Sequence, residues 1–186
     1  MSEVAGLVLA AGAGSRFGRP KAVVELDGER LVDRAVRVLR DGGISRTYVV
    51  SGAVELDVAG AAVVTNPDWA AGMGSSLRAG LAAMAVDVDA ALVVLVDQVG
   101  LTPAAVSRVL AAGSGPARLA TATYDGRRGH PVLIGRAHWR EVVATAVGEV
   151  GAREVLAVHA DEVVTVECGD VASDADVDRP EDLPTR

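Results

Sequence analysis

Val4-Ala5-Gly6-Leu7-Val8-Leu9-Ala10, followed at once by Ala11-Gly12-Ala13-Gly14-Ser15-Arg16-Phe17-Gly18-Arg19-Pro20-Lys21, decides the fold. The first seven residues form a short apolar run of the length a buried strand takes, and the glycines behind it mark a loop at its carboxyl end. Lys21 is the only lysine of the chain, since the other 17 of its 18 Lys and Arg residues are arginine. A compact ammonium fits inside a tight loop where a planar guanidinium does not. The glycines let successive backbone amides face one anion, and Arg16, Arg19 and Lys21 add positive charge to the same loop. A plain turn needs one or two glycines, so three glycines with three cations point to polyphosphate.

Outward from this loop, short aliphatic runs alternate with helical patterns. Arg30 to Arg40 carries Leu31, Val32, Ala35, Val36 and Leu39 on one face and ends at Gly42-Gly43. Strands are predicted at Ile44 to Val50, Ala61 to Thr65 and Ala90 to Val96. After the second of these comes the loop Asn66-Pro67-Asp68-Trp69-Ala70-Ala71-Gly72-Met73-Gly74-Ser75-Ser76. Its serines are expected to cap a helix running through Leu77, Leu81 and Met84. Thr102-Pro103 predicts a capped helix to about Ala112. Leu119 to Tyr124 and Pro131 to Ile134 read as paired strands joined by Asp125-Gly126-Arg127-Arg128-Gly129-His130. Two helices, Ala137 to Val147 and Ala152 to His159, a strand at Val163 to Cys168 and an acidic tail complete the pattern. Strands alternating with helices predict an α/β fold, a mostly parallel sheet with helices on both faces, organised as one domain over residues 1–186. Ligands bind such sheets at the carboxyl ends of strands, where the glycine loop and Asp97 both fall.

Composition narrows the function classes. The chain has 186 residues, 50% of them hydrophobic, with only 2 Trp, 2 Tyr and 1 Phe, so its core is aliphatic. A net charge of -7 argues against a nucleic-acid or anionic-membrane surface. No apolar run approaches the roughly 20 residues of a membrane span, and no signal-type segment opens the chain, which predicts a cytoplasmic protein. The single Cys168 reads as a buried small side chain. His130, His138 and His159 are scattered and offer no zinc-ligand spacing. Trp69 and Trp139 read as packing residues.

Glycines at 12, 14 and 18 fit neither common nucleotide loop. The dinucleotide pattern spaces them two and then three, and the mononucleotide loop places glycine directly before lysine. Asp97 follows seven apolar residues and puts a carboxylate at the rim of the sheet, where a hard cation such as magnesium would find oxygen ligands. By itself such an aspartate could equally start a loop. Asp174, Asp176 and Asp178 alternate, on one side of an extended segment. Arg179-Pro180-Glu181-Asp182-Leu183 then reads as the start of a short helix.

Taken with Gly72-Met73-Gly74-Ser75-Ser76-Leu77, Asp97-Gln98, Gly129-His130-Pro131 and Asp176-Val177-Asp178-Arg179-Pro180-Glu181-Asp182-Leu183, the opening loop resembles the MobA-like nucleotidylyltransferases. The branch in question is that of molybdenum cofactor cytidylyltransferase and guanylyltransferase, and the likeness runs over essentially the whole chain. It implies a three-layer Rossmann-like nucleotidyltransferase fold. It also implies that Ala10, Ala11 and Gly12 lie against the base, that Gly14, Ser15, Arg16 and Lys21 surround the triphosphate, and that Gly74, Ser75 and Ser76 touch base or ribose. Asp97 and Asp178 would hold Mg2+, with Asp176 as substitute. Gln98, Arg128, Gly129 and His130 would meet the acceptor, and Arg16, Lys21 and Asp97 would be catalytic. Ala11, where guanylyltransferases tend to have glycine, favours cytidine. The family usually follows Asp-Gln with proline; Val99-Gly100 here is expected to loosen the loop beneath the acceptor.

The activity so implied is transfer of CMP from CTP to the terminal phosphate of a molybdopterin-type cofactor, with release of pyrophosphate and a molybdenum hydroxylase as candidate partner. A phosphate monoester with its second pKa near 6 is already dianionic and needs no general base, which agrees with the lack of any serine–histidine–acid arrangement. Use of GTP, a sugar or alcohol phosphate acceptor, and a non-catalytic nucleotide or pterin carrier remain as alternatives.

Overall fold

A computed structural model describes residues 2–183 of the chain. The elements run β1 (Val4–Leu9), β2 (Glu25–Leu26), β3 (Glu29–Arg30), α1 (Leu31–Asp41), β4 (Arg46–Ser51), β5 (Ala62–Thr65), α2 (Met73–Ala83), β6 (Ala90–Leu95) and α3 (Pro103–Ala111). They continue with β7 (Leu119–Tyr124), β8 (Arg127–Gly135), α4 (Trp139–Thr145), α5 (Arg153–Val158) and β9 (Val163–Glu167). Seven strands form one sheet in the order β5-β4-β1-β6-β8-β7-β9, with β2 and β3 as a separate small ribbon. All neighbours are parallel except those of β8, which runs antiparallel to both β6 and β7.

Period-two alternation explains why both faces of β1 are apolar. Ala5, Leu7 and Leu9 enter the core layer shared with Leu77, Leu81, Trp139 and Val142, while Val8 enters the layer containing Val32, Leu39, Val106 and Val109. Helices α1 and α3 therefore cover one face and α2, α4 and α5 the other, giving the expected three layers. In the register of the sheet, Leu9 stands level with Val50 of β4 and Leu95 of β6. The loops that leave β1 and β6 thus open at the same rim. No helix among the described residues is long and apolar enough to cross a membrane.

Three local expectations are corrected. Helix α2 starts at Met73, not at the serines, because those hydroxyls are already engaged. Asn66 Nδ2 donates to Ser75 Oγ at 2.9 Å and Ser76 Oγ at 3.1 Å, and Ser75 Oγ donates to the Gly72 and Asp68 carbonyls. The β7–β8 connection is a two-residue turn, Asp125 at φ 50° and Gly126 at φ 76°, so Arg127 to His130 belong to the strand. Glu167 of β9 clamps this turn, accepting from Thr123 Oγ1 at 2.8 Å and from the amides of Asp125 and Gly126. Finally, His138 and His159 are not scattered: packing of α4 on α5 brings their rings to 4.8 Å. Thr102 does cap α3 as expected, and Cys168 is fully buried.

Candidate functional site

The glycine loop folds back on itself at the carboxyl end of β1. Gly18 N–H donates to the Gly14 carbonyl at 2.8 Å, and Gly14 has φ +63°. A Cβ at Gly14 would stand 1.9 Å from the Arg19 carbonyl oxygen, so only glycine permits the fold-back. The doubled loop delivers Lys21 to a single helical turn, Lys21–Val23, under the rim of the sheet. Ala11, Gly12, Gly14, Ser15, Arg16 and Lys21 then line a cleft of about 460 Å³ together with Asp97 and Asp178. Ala10 is buried beneath it, its amide bonded to the Val50 carbonyl, and Arg19 lies outside. Of the three predicted residues on α2, Ser76 reaches the cleft, whereas Gly74 and Ser75 do not line it.

Four charged groups meet in the cleft. Lys21 Nζ lies 2.8 Å from Asp97 Oδ2 and 2.7 Å from Asp178 Oδ1, and Arg16 Nη1 lies 2.5 Å from Asp178 Oδ2. Burial by itself would lower the Lys21 pKa, but the hydrogen bonds and charges of Asp178 and Asp97 outweigh it and raise it. The Lys21 hydrogen bond, aided by the charges of Arg16 and Arg179, holds Asp178 below its usual value. Asp97 Oδ1 is buried and has no hydrogen-bond partner among the described residues. An unsatisfied buried carboxylate oxygen carries a full desolvation cost, which a cation would remove. Asp97, Asp176 and Asp178 offer carboxylate oxygens within 4.8 Å of one another, a donor set that fits a hard divalent cation. Asp174 leaves this group and pairs with Arg127 at 3.2 Å.

The approach of Asp97 and Asp178 is built into the backbone. Val177 N–H donates to the Asp97 carbonyl at 3.0 Å, and Ser173 N–H to the Gly100 carbonyl at 3.2 Å. The loop after β6 is thereby stitched to the tail that carries Asp178. A Cβ on Gly100 would stand 2.1 Å from Ser173 Oγ, so the missing side chain is what lets the tail in. Val99 is buried with Phe17, Val24, Leu31 and Val177, and its carbonyl accepts from Arg34 Nη2 at 2.9 Å. Val99-Gly100 therefore pins this loop where loosening was expected.

A second hollow of about 360 Å³ adjoins the first and shares Leu9, Met73 and Glu149 with it. Arg128, Gly129 and His130 line it together with aliphatic residues of β8 and α5, including Val132, Ile134 and Leu156. Arg128 Nη1 reaches the Leu156 carbonyl at 3.4 Å, whereas Arg127 points to the tail. Burial pushes the His130 pKa down to about 4 against the raising charge of Asp97, so the imidazole is neutral near pH 7. Gln98 does not join this group. Its Oε1 accepts from the Leu95 amide at 3.0 Å, folding the side chain back on β6, and its backbone N–H donates to the Leu95 carbonyl.

Sequence reasoning missed Trp69, Met73 and Glu149 as cleft residues. Trp69 stands in a single helical turn after β5 and was taken for packing alone. Trp139, by contrast, is core, its indole N–H donating to the Ile134 carbonyl at 2.9 Å. The signal for Glu149 was faint: one acid in the loop Gly148-Glu149-Val150-Gly151.

Comparison with known proteins places this geometry. Residues 6–163 match the model of the MobA-like NTP transferase domain. Nicotine blue oxidoreductase of Paenarthrobacter nicotinovorans is 38% identical over 194 residues, covering 97% of this chain and 94% of that protein. A probable molybdenum cofactor guanylyltransferase of Opitutus terrae is 49% identical over 49 residues, which is 26% of this chain and 24% of that protein. Among solved structures, Rv0371c of Mycobacterium tuberculosis H37Rv superposes with a TM-score of 0.80 at 25% identity, covering 97% of this chain and 95% of the other.

Proposed function

The chain belongs to the MobA-like NTP transferase family, and from that premise we propose that it transfers CMP from CTP to the terminal phosphate of a molybdopterin-type acceptor in the cytoplasm, releasing pyrophosphate. Nucleotidyltransferase chemistry is the family's, and the choice of nucleotide and acceptor is the reading added here. The observation that carries it is the Lys21 ammonium held 2.8 and 2.7 Å from Asp97 and Asp178 at the mouth of a glycine loop that opens into the cleft.

In this reading the base and ribose lie along Ala11, Gly12 and Ser76, and the triphosphate follows Gly14, Ser15 and Arg16 toward Lys21. The Ala11 methyl narrows the base end, which favours the smaller pyrimidine. Arg16 and Lys21 neutralise charge as it develops on the departing pyrophosphate. The acceptor phosphate enters from the second hollow past Arg128 and the neutral His130, and is positioned for in-line attack on the α-phosphorus. Positioning and charge neutralisation suffice, because the attacking oxygen is already ionised. Asp97 and Asp178, with Asp176 beside them, would hold Mg2+, which would supply charge neutralisation to the reacting phosphates.

The test is pyrophosphate release from CTP or GTP with Mg2+ and the molybdopterin acceptor. Turnover with CTP is expected; use of GTP alone removes the cytidine preference, and no turnover with any nucleotide overturns the reading. Tight acceptor binding without turnover, unaffected by Asp97→Asn, would indicate a carrier.

The whole-length relationship to nicotine blue oxidoreductase favours a second reading, an oxidoreductase whose acceptor lies in the apolar hollow. A reduced nicotinamide dinucleotide shares the diphosphate that the glycine loop suits. Oxidation of that dinucleotide in the presence of a reducible dye, without pyrophosphate release under the first assay, would replace the transferase reading by this one.

A further inference from the structure

His138, Glu141 and His159 form a cluster that lines neither part of the cleft. His138 stands at the start of α4, Glu141 in its first turn, and His159 at the end of α5. One ligand atom from each lies within 4.8 Å of the others, and the two imidazoles meet edge to face with an interplanar angle of 72°. Each ring has an outer partner that fixes it. His138 Nε2 lies 3.1 Å from the Ala117 carbonyl, and a carbonyl only accepts, so Nε2 donates there and Nδ1 is the ring nitrogen left for a metal. His159 Nδ1 lies 3.3 Å from Glu162 Oε1, and its Nε2 faces Glu141 Oε2 at 2.8 Å.

We propose that His138, Glu141 and His159 form a binding site for a zinc-class divalent cation, closed by a water in the fourth position. Two imidazoles and a carboxylate are the donor set that zinc takes, whereas magnesium prefers oxygen alone. Metal-bound histidines characteristically donate the other ring N–H to a carbonyl or carboxylate, and Ala117 and Glu162 stand in those places. An ion pair between His159 and Glu141 accounts for two of the residues, but it does not engage the second ring nitrogen of the buried His138. On closing around zinc the donors would draw together to about 3.3 Å, within reach of side-chain rotation at the partly exposed Glu141 and His159. The metal would tie α4 to α5, and α5 supplies Leu156 and Arg153 to the wall of the apolar hollow.

The experiment is titration of chelator-treated protein with Zn2+ against a chromogenic chelator, repeated with Co2+ for its visible ligand-field bands. The Asp97→Asn variant serves as a background that weakens the cleft carboxylates. One equivalent is expected to bind in Asp97→Asn and at least that one in wild type, with nitrogen-ligand Co2+ bands and a rise in Tm on adding Zn2+. His159→Ala and Glu141→Gln, at partly exposed positions that spare the core, should each lose at least about tenfold in affinity and the Tm rise. Failure of wild type to bind at least one equivalent, loss of binding in Asp97→Asn, or unchanged affinity in His159→Ala overturns the proposal.

Discussion

The two parts of the cleft are built on opposite principles. The part under the glycine loop is polar and over-determined: Lys21 touches two carboxylates, Arg16 touches one of them, and backbone hydrogen bonds from the tail hold the carboxylates together. The part along β8 and α5 is aliphatic, with Arg128 and a neutral His130 at its edge. Polyphosphate demands fixed opposing charge, and any displacement of those charges is costly. An apolar wall recognises by shape and tolerates change. In the proposed reading, the chemistry is therefore fixed on one side and the choice of partner molecule is adjustable on the other.

That contrast can be broken experimentally, beginning where the effect is greatest. Asp97→Asn should lower kcat by about a thousandfold while leaving nucleotide binding largely intact, as loss of a charge that acts on the reacting oxygens does. Steady-state turnover beside equilibrium nucleotide binding checks it, and equal loss in both would mean that Asp97 serves binding alone. Lys21→Ala should cost about a hundredfold in kcat/KM for the triphosphate, and Lys21→Arg should not restore it, because the guanidinium fork does not fit between the two carboxylates. On the apolar side, Arg128→Ala should raise the acceptor KM by about tenfold and leave the nucleotide KM unchanged, as loss of one charge-assisted contact predicts. A rise in nucleotide KM instead would erase the division between the two parts.

Gly100→Ala tests the stitch between the loop after β6 and the acidic tail. A methyl there meets Ser173 Oγ and the Ser173 carbonyl, so denaturant unfolding should show a loss of about 1–3 kcal/mol by overpacking. The smallest effect concerns the hairpin beneath Gly129. The amide of Gly169, the Thr123 hydroxyl and the turn amides hold the Glu167 pKa below 4.5, so its stabilising contribution is present above that value and is lost as pH falls through the lowered one. Thermal unfolding of Glu167→Gln should therefore converge with that of wild type as pH is lowered from 4.5, whereas a constant gap would mean the ionised carboxylate contributes nothing.

What was legible in the sequence follows the same division. The glycine spacing, the lone lysine and Asp97 at the end of β6 announce themselves because strand, loop and charge are neighbours in the chain. The sheet order was legible as a class, yet the antiparallel β8 was not fixed until the Asp125-Gly126 turn placed Arg127 to His130 in a strand. Gln98 was misplaced because nothing in Asp97-Gln98-Val99 reveals that its side chain closes on Leu95. Val99-Gly100 was misread for a related reason: the partner that needs the missing Cβ, Ser173, lies far along the chain. The pairing of His138 with His159 was hidden likewise, since it depends on how α4 packs on α5.

The bond between Lys21 and Asp178 spans 157 positions of sequence. Closing so long a loop is entropically unfavourable until the intervening sheet exists, so this contact is expected to form late in folding. The pocket floor is thus a report on the completeness of the molecule: a chain still emerging during synthesis, or one nicked before Val177, keeps most of its sheet but lacks one of the two carboxylates that grip the ammonium. Triphosphate affinity would then distinguish finished from unfinished copies where spectroscopic measures of helix and sheet content hardly differ.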